Sequence, residues 1–159
     1  MVESTVTYES FTLAREYPHS PEKVFRNFSD PARKRKWFAE GEGSILQSFE
    51  MDFRVGGKET GVFLMNHGPV AGLVCRNDSW YMDIVENKRI VIAYTMTLGE
   101  NRISASLSTI ELLPQNSKTL LRFTEQAAFF EGADGADIRR AGWQVLLEQL
   151  GGALDAEVK

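Results

Sequence analysis

Glu125 is a carboxylate that strand alternation sends to the same side as a row of apolar residues. Along Lys118–Ala128, the side chains of Thr119, Leu121, Phe123, Glu125 and Ala127 share one face of an extended chain. A carboxyl group beside Leu121 and Phe123 must either meet a cation or keep its proton, because burial disfavours the ionised form. Both states do chemistry: a paired carboxylate orients a ligand, and one with a raised pKa serves as a general acid or base. Arg54, Arg122 and Arg139 are the candidate partners by sequence. A plain ion pair at the sheet edge is the competing reading. Tyr81 and Tyr94 bring hydroxyls that need a partner when buried, and either could orient a carbonyl group.

Other reactive side chains point away from catalysis. Ser104, Ser106 and Ser108 share one strand face, with Ile103, Ala105, Leu107, Thr109 and Glu111 on the other. The apolar start of that second set predicts that it faces inward and that the serines face solvent. His19 and His67 lie far apart in predicted loops, without the close spacing of zinc ligands, so no metal and no cofactor is expected. Gly56-Gly57 is a turn signal rather than a phosphate cradle. The run Arg33-Lys34-Arg35-Lys36 reads as a solvated helix face. Cys75, the only cysteine, follows Leu73 and Val74 and reads as a small buried hydrophobe.

Composition narrows the partners. With 43% hydrophobic and 25% charged residues, the 159-residue chain has enough apolar surface for a core and fits one domain, residues 1–159. A net charge of −4 argues against nucleic acid or an anionic membrane as partner. Glu3 stands near the start without an apolar run after it, so no leader is expected, and no stretch has the length of a membrane span. A lone cysteine fits a reducing compartment, so a cytoplasmic location is expected. A homodimer is left open.

The elements that must position these groups follow from pattern and punctuation. Ser20-Pro21 and Asp30-Pro31 each place a capping residue before proline at the first helical position. They predict two short helices, at about Pro21–Phe28 and Pro31–Phe38, after a first strand over Thr5–Tyr17. Strands are then expected at Ile45–Val55, Lys58–Asn66, Val70–Val85 (interrupted near Asn77-Asp78-Ser79), Arg89–Leu98, Arg102–Leu113 and Lys118–Ala128. Their hairpin spacing makes an antiparallel meander. A last helix, about Ile138–Glu157 with Asp137 as cap, confines Arg140, Gln144, Glu148, Gly151 and Asp155 to a narrow polar arc. So wide an apolar remainder predicts a helix gripped on several sides. Arg139 and Gln149 fall within it, as frayed ends or as groups facing a polar cavity.

Several segments carry a family likeness. Ser20-Pro21-Glu22-Lys23-Val24-Phe25, Lys36-Trp37-Phe38, Met51–Gly57, Asp83–Val91, Thr124-Glu125-Gln126 and Gly142-Trp143 with Leu146–Leu150 together resemble the activator-of-heat-shock-chaperone-ATPase-like domains of the START-like (SRPBCC) superfamily. The resemblance implies an α+β helix-grip fold, a curved antiparallel sheet around the C-terminal helix with a mostly apolar cavity between them. Superfamily members include carriers, cyclases, aromatases and chaperone activators, so three functions are carried forward. The first is binding of a small hydrophobic or amphipathic molecule. The others are a cyclase- or hydrolase-like enzyme using Glu125, and an interaction partner of a chaperone. The site is expected between helix and sheet, entered near the second helix and the glycine turn. Its candidate residues are Trp37, Phe38, Phe53, Tyr81, Tyr94, Met96, Phe123, Glu125, Trp143 and Gln149.

Overall fold

The computed structural model describes residues 4–41 and 43–157; Glu3, on which the expectation of no leader draws, lies outside the described residues. Strand β1 (Thr7–Tyr17) leads into α1 (Pro21–Ser29) and α2 (Pro31–Lys34). The two helix starts are built as the sequence predicts. Ser20 Oγ accepts from Lys23 N at 3.3 Å and Asp30 Oδ1 from Ala32 N at 3.0 Å. Pro31 also forces Asp30 into an extended conformation, which separates the two helices. A π-turn, Arg35–Ala39, continues α2. That wider turn sends Trp37 into the core while its neighbour Phe38 stays only half-buried.

Six further strands follow: β2 (Ser44–Met51), β3 (Lys58–Met65), β4 (Val74–Val85), β5 (Arg89–Leu98), β6 (Asn101–Gln115) and β7 (Lys118–Phe129). They form one curved antiparallel sheet in the order β1-β7-β6-β5-β4-β3-β2. The closing helix α3 (Ala136–Ala156) lies on the inner face and packs against α1, β1 and the π-turn. Tyr17 Oη donates to Leu147 O at 2.6 Å, and Lys23 Nζ to Leu154 O at 2.9 Å. These bonds fix the C-terminal half of α3, whose Leu147, Leu150 and Leu154 are buried in the core with Val24, Phe28 and Leu121. The helix-grip architecture implied by the resemblance is the observed fold.

Five local expectations are corrected. Residues 52–57 form a six-residue connection rather than a two-glycine hairpin. Gly56 there has a positive φ, and a Cβ on Gly57 would collide with the Asp52 carbonyl. Strand β4 runs unbroken through Asn77-Asp78-Ser79, because Asn77 and Ser79 share the inward face and Asp78 pairs with Arg76. Ser104, Ser106 and Ser108 face inward with Ile110 and Leu112, whereas Leu107 is on the outer face. Gly135, not Asp137, occupies the cap position of α3. Finally, α3 is gripped on one side only: Ile138 is 65% and Val145 56% exposed.

The two sides of α3 therefore have opposite sensitivities. Leu150→Ala, which deletes a fully buried side chain, should cost about 2–5 kcal/mol. Val145→Ala on the open side should stay within about 0.5 kcal/mol. Urea denaturation measures both, and equal losses would contradict the one-sided packing.

Candidate functional site

Between the N-terminal half of α3 and the inner faces of β4 to β6 lies a cavity of about 270 Å³. Its apolar wall is Phe38, Ile92, Met96, Trp143 and Leu146, with Ile138 and Gly142 on the helix side. Helix α2 contributes Lys34 and β3 contributes Glu59; β4 contributes Asn77 and Ser79. Tyr94, Ser108, Asp134 and Arg139 complete the lining. The glycine-containing connection 52–57 contributes no residue to the lining.

Two charged clusters are built into this wall. In the first, Lys34 Nζ donates to Glu59 Oε1 at 2.6 Å, and Tyr81 Oη donates to the same oxygen at 2.5 Å. Lys34 is buried, so the basic run is not a uniformly solvated face; one turn of helix points this residue at the sheet. In the second cluster, Arg139 Nε and Nη2 donate to the two carboxylate oxygens of Asp134 at 2.8 and 2.7 Å. Further donations run from Nη1 to Tyr94 Oη at 3.0 Å and from Nη2 to Ser104 Oγ at 3.0 Å. Tyr94 in turn donates to Glu125 Oε1 at 2.5 Å, and Ser108 to the same atom at 3.1 Å.

The electrostatics of the second cluster follow from who holds whom. Burial pushes the Glu125 carboxyl above the usual carboxylate range, even though Tyr94, Arg139 and Ser108 all pull it down. Burial also acts against the Arg139 guanidinium, but its bonds to Asp134 more than offset this and hold it above its ordinary value. The two directions are consistent because Asp134 is the main counter-ion. Glu125 Oε2 lies 3.5 Å from Arg139 Nη1 and accepts no hydrogen bond among the described residues. Burial, then the Glu125 charge, raises Tyr94, which stays a phenol.

Of the ten candidate residues, Phe38, Tyr94, Met96 and Trp143 line the cavity. Glu125 and Phe123 stand one layer behind, Glu125 under Tyr94 and Ser108, and Phe123 stacked on Trp143 with 4.1 Å between ring centroids. Tyr81 reaches the wall only through Glu59. Phe53 packs between Phe25 and Tyr81, half-buried against the core. Trp37 donates its indole N–H to Asn27 O at 2.9 Å and Gln149 donates to Trp37 O at 3.3 Å. Trp37 is thus a core residue, 2% exposed, and Gln149 borders a surface groove beside Arg33 and Glu157; neither lines the cavity. Arg54 and Arg122 pair on the exposed surface with Asp52 and Glu111, leaving Arg139 as the arginine at Glu125.

Lys34, Glu59, Asn77, Ser79, Ser108 and Asp134 are cavity residues that the sequence expectation omits. A signal existed for the serines: Ile110 and Leu112 continue their parity along β6. No comparable signal marks Glu59 or Asp134, whose partners are distant in sequence. Among the described residues, no three His, Cys, Asp or Glu side chains converge as a metal site would require. No helix among them is long and apolar enough to cross a membrane.

Comparison with known proteins adds a family and a set of relatives. Residues 18–155 match the family described as Activator of Hsp90 ATPase homolog 1-like protein. A crystal structure of a Rhizobium loti protein is 43% identical, over 94% of this chain and 99% of the other, with a TM-score of 0.84. An uncharacterised Rhizobium leguminosarum protein is 36% identical over 97% and 100% of the two chains, also with a TM-score of 0.84. A Chromobacterium violaceum protein is 27% identical over 93% and 98%, with a TM-score of 0.75. No curated protein matches the chain.

The raised Glu125 carboxyl has a consequence for stability. Its folded form holds the proton above pH of about 4.5, where the unfolded chain releases it. The folded state thus binds more protons there, and stability falls as pH rises through that window. Glu125→Gln keeps an oxygen for Tyr94 and Ser108 but has no proton to lose. Denaturation at a series of pH values from about 4 to 8 should show wild type losing stability relative to the variant as pH rises. Parallel curves would show an unperturbed carboxyl.

Proposed function

The chain belongs to the Activator of Hsp90 ATPase homolog 1-like family, and on that premise we propose that it binds a small, mostly apolar molecule beneath α3. The observation that carries this reading is a cavity with an aromatic wall whose charged groups are already paired with one another. Pockets of this kind, apolar with a few placed polar groups, are the usual form of small-molecule sites. Gly142 supports it further. A glycine inside a helix costs about 1 kcal/mol relative to alanine, yet here a Cβ would meet nothing within 4 Å. Gly142 lines the cavity, and a side chain there would project into unoccupied space.

Catalysis by Glu125 is the second reading, favoured by its raised carboxyl and its bond to Tyr94. Against it, Tyr94 and Ser108 stand between that carboxyl and the cavity. A chaperone-activating role, which the family description names, would be carried by an outer surface and is the reading left if the cavity binds nothing. A cytoplasmic setting belongs to the same proposal: Cys75 is the only cysteine, and burial pushes its thiol up to about 11, so it persists as an unreactive thiol.

Trp143 is the natural reporter, since it lines the cavity. Naphthalene should change tryptophan emission saturably. Gly142→Leu, which adds bulk at the cavity lining, should weaken that response by about tenfold or more without lowering the melting temperature, because leucine is the better helix former. Absence of saturable binding to wild type would overturn the reading.

A further inference from the structure

Resting on that binding role, we infer that the ligand is an uncharged molecule of about two fused rings bearing a hydroxyl group, anchored by Asn77. Size comes from the volume: a cavity of about 150 Å³ holds benzene, so one of about 270 Å³ holds a bicyclic ring system. Phe38 and Trp143, tilted against each other with ring centroids 6.0 Å apart, give the lining an aromatic surface for such a ring system.

The absence of charge follows from the wall. Lys34 is engaged by Glu59 at 2.6 Å, and Arg139 by both oxygens of Asp134. A carboxylate ligand would bring a second negative charge against Glu59 or Asp134, each already sharing its cation, at the cost of a buried like charge. An ammonium ligand meets the same problem with the signs reversed. The two clusters thus act as a filter against ions of either sign.

The hydroxyl follows from Asn77. Its side chain lines the cavity, on the same inward face of β4 as Ser79 and opposite Met96 on β5. Its Oδ1 is enclosed, with no hydrogen-bond partner among the described residues. A buried polar atom left unpaired is costly. As the amide stands its oxygen is shut off from the free volume, so pairing Oδ1 requires the amide turned to present it; a hydroxyl, which both donates and accepts, bonds whichever of the two amide atoms faces it. The adjacent Ser79 hydroxyl extends the same polar strip in an otherwise apolar wall.

Three probes of one ring system separate these claims: naphthalene, 2-naphthol and 2-naphthoate, titrated by tryptophan fluorescence at neutral pH. One hydrogen bond to an otherwise unpaired group should make 2-naphthol bind about tenfold tighter than naphthalene. The carboxylate should bind more weakly than either. In Asn77→Leu and Asn77→Ala, each checked for an intact melt, the preference for 2-naphthol should vanish while naphthalene still binds. Equal affinity of 2-naphthol and naphthalene, a preference surviving in both variants, or tightest binding of 2-naphthoate would overturn this inference and leave the binding role standing. Failure of all three probes to bind wild type would overturn both.

Discussion

A guanidinium buried against the inner face of a sheet is the constraint on which much of this structure turns. Arg139 is 5% exposed, and a charge so placed is tolerated only when its donors are met. Asp134 supplies the counter-charge from the loop before α3. Tyr94, Ser104 and Ser106 supply neutral acceptors from β5 and β6. That requirement explains why an apparently solvent-type row of serines faces inward. It also fixes where α3 begins, since the helix must start one turn before Arg139 with Asp134 alongside.

At the far wall of the cavity, Lys34, Glu59 and Tyr81 form the matching arrangement. In each cluster the cation is paired with a carboxylate, Lys34 with Glu59 and Arg139 with Asp134, and the apolar wall of the cavity lies between them. The C-terminal half of α3 behaves differently. There Tyr17, Lys23 and three leucines draw the helix down onto a solid core. One helix is thereby seated firmly at one end and raised over a cavity at the other, with Gly142 in its lining.

Family membership and cavity geometry answer different questions. A fold of this kind hosts many activities, and relatives 36–43% identical include a protein whose description states that it is uncharacterised. Chemistry must therefore be argued from side chains. Glu125 illustrates the point: burial raises its carboxyl as a catalytic one would be raised, while Tyr94 and Ser108 both donate to it from the cavity wall.

The order of elements, the proline-led helix starts, the meander and the burial of Glu125 were legible in the sequence, because each depends on neighbours within a turn or on a period of two. Arg139 stood out as a cation in an apolar arc for the same reason. Strand alternation states which residues share a face but not which face is inner, so by pattern alone the serines read as outward and Leu107 as inward, the reverse of the fold. Aromatic character likewise could not distinguish Trp143, at the cavity, from Trp37, which the π-turn carries into the core. The pairings Lys34–Glu59 and Asn27–Trp37, and an Asn77 Oδ1 without a partner among the described residues, join or isolate groups on separate elements. They exist only once the sheet curves and α3 settles on it, since contact between distant residues is set by packing geometry and not by local pattern.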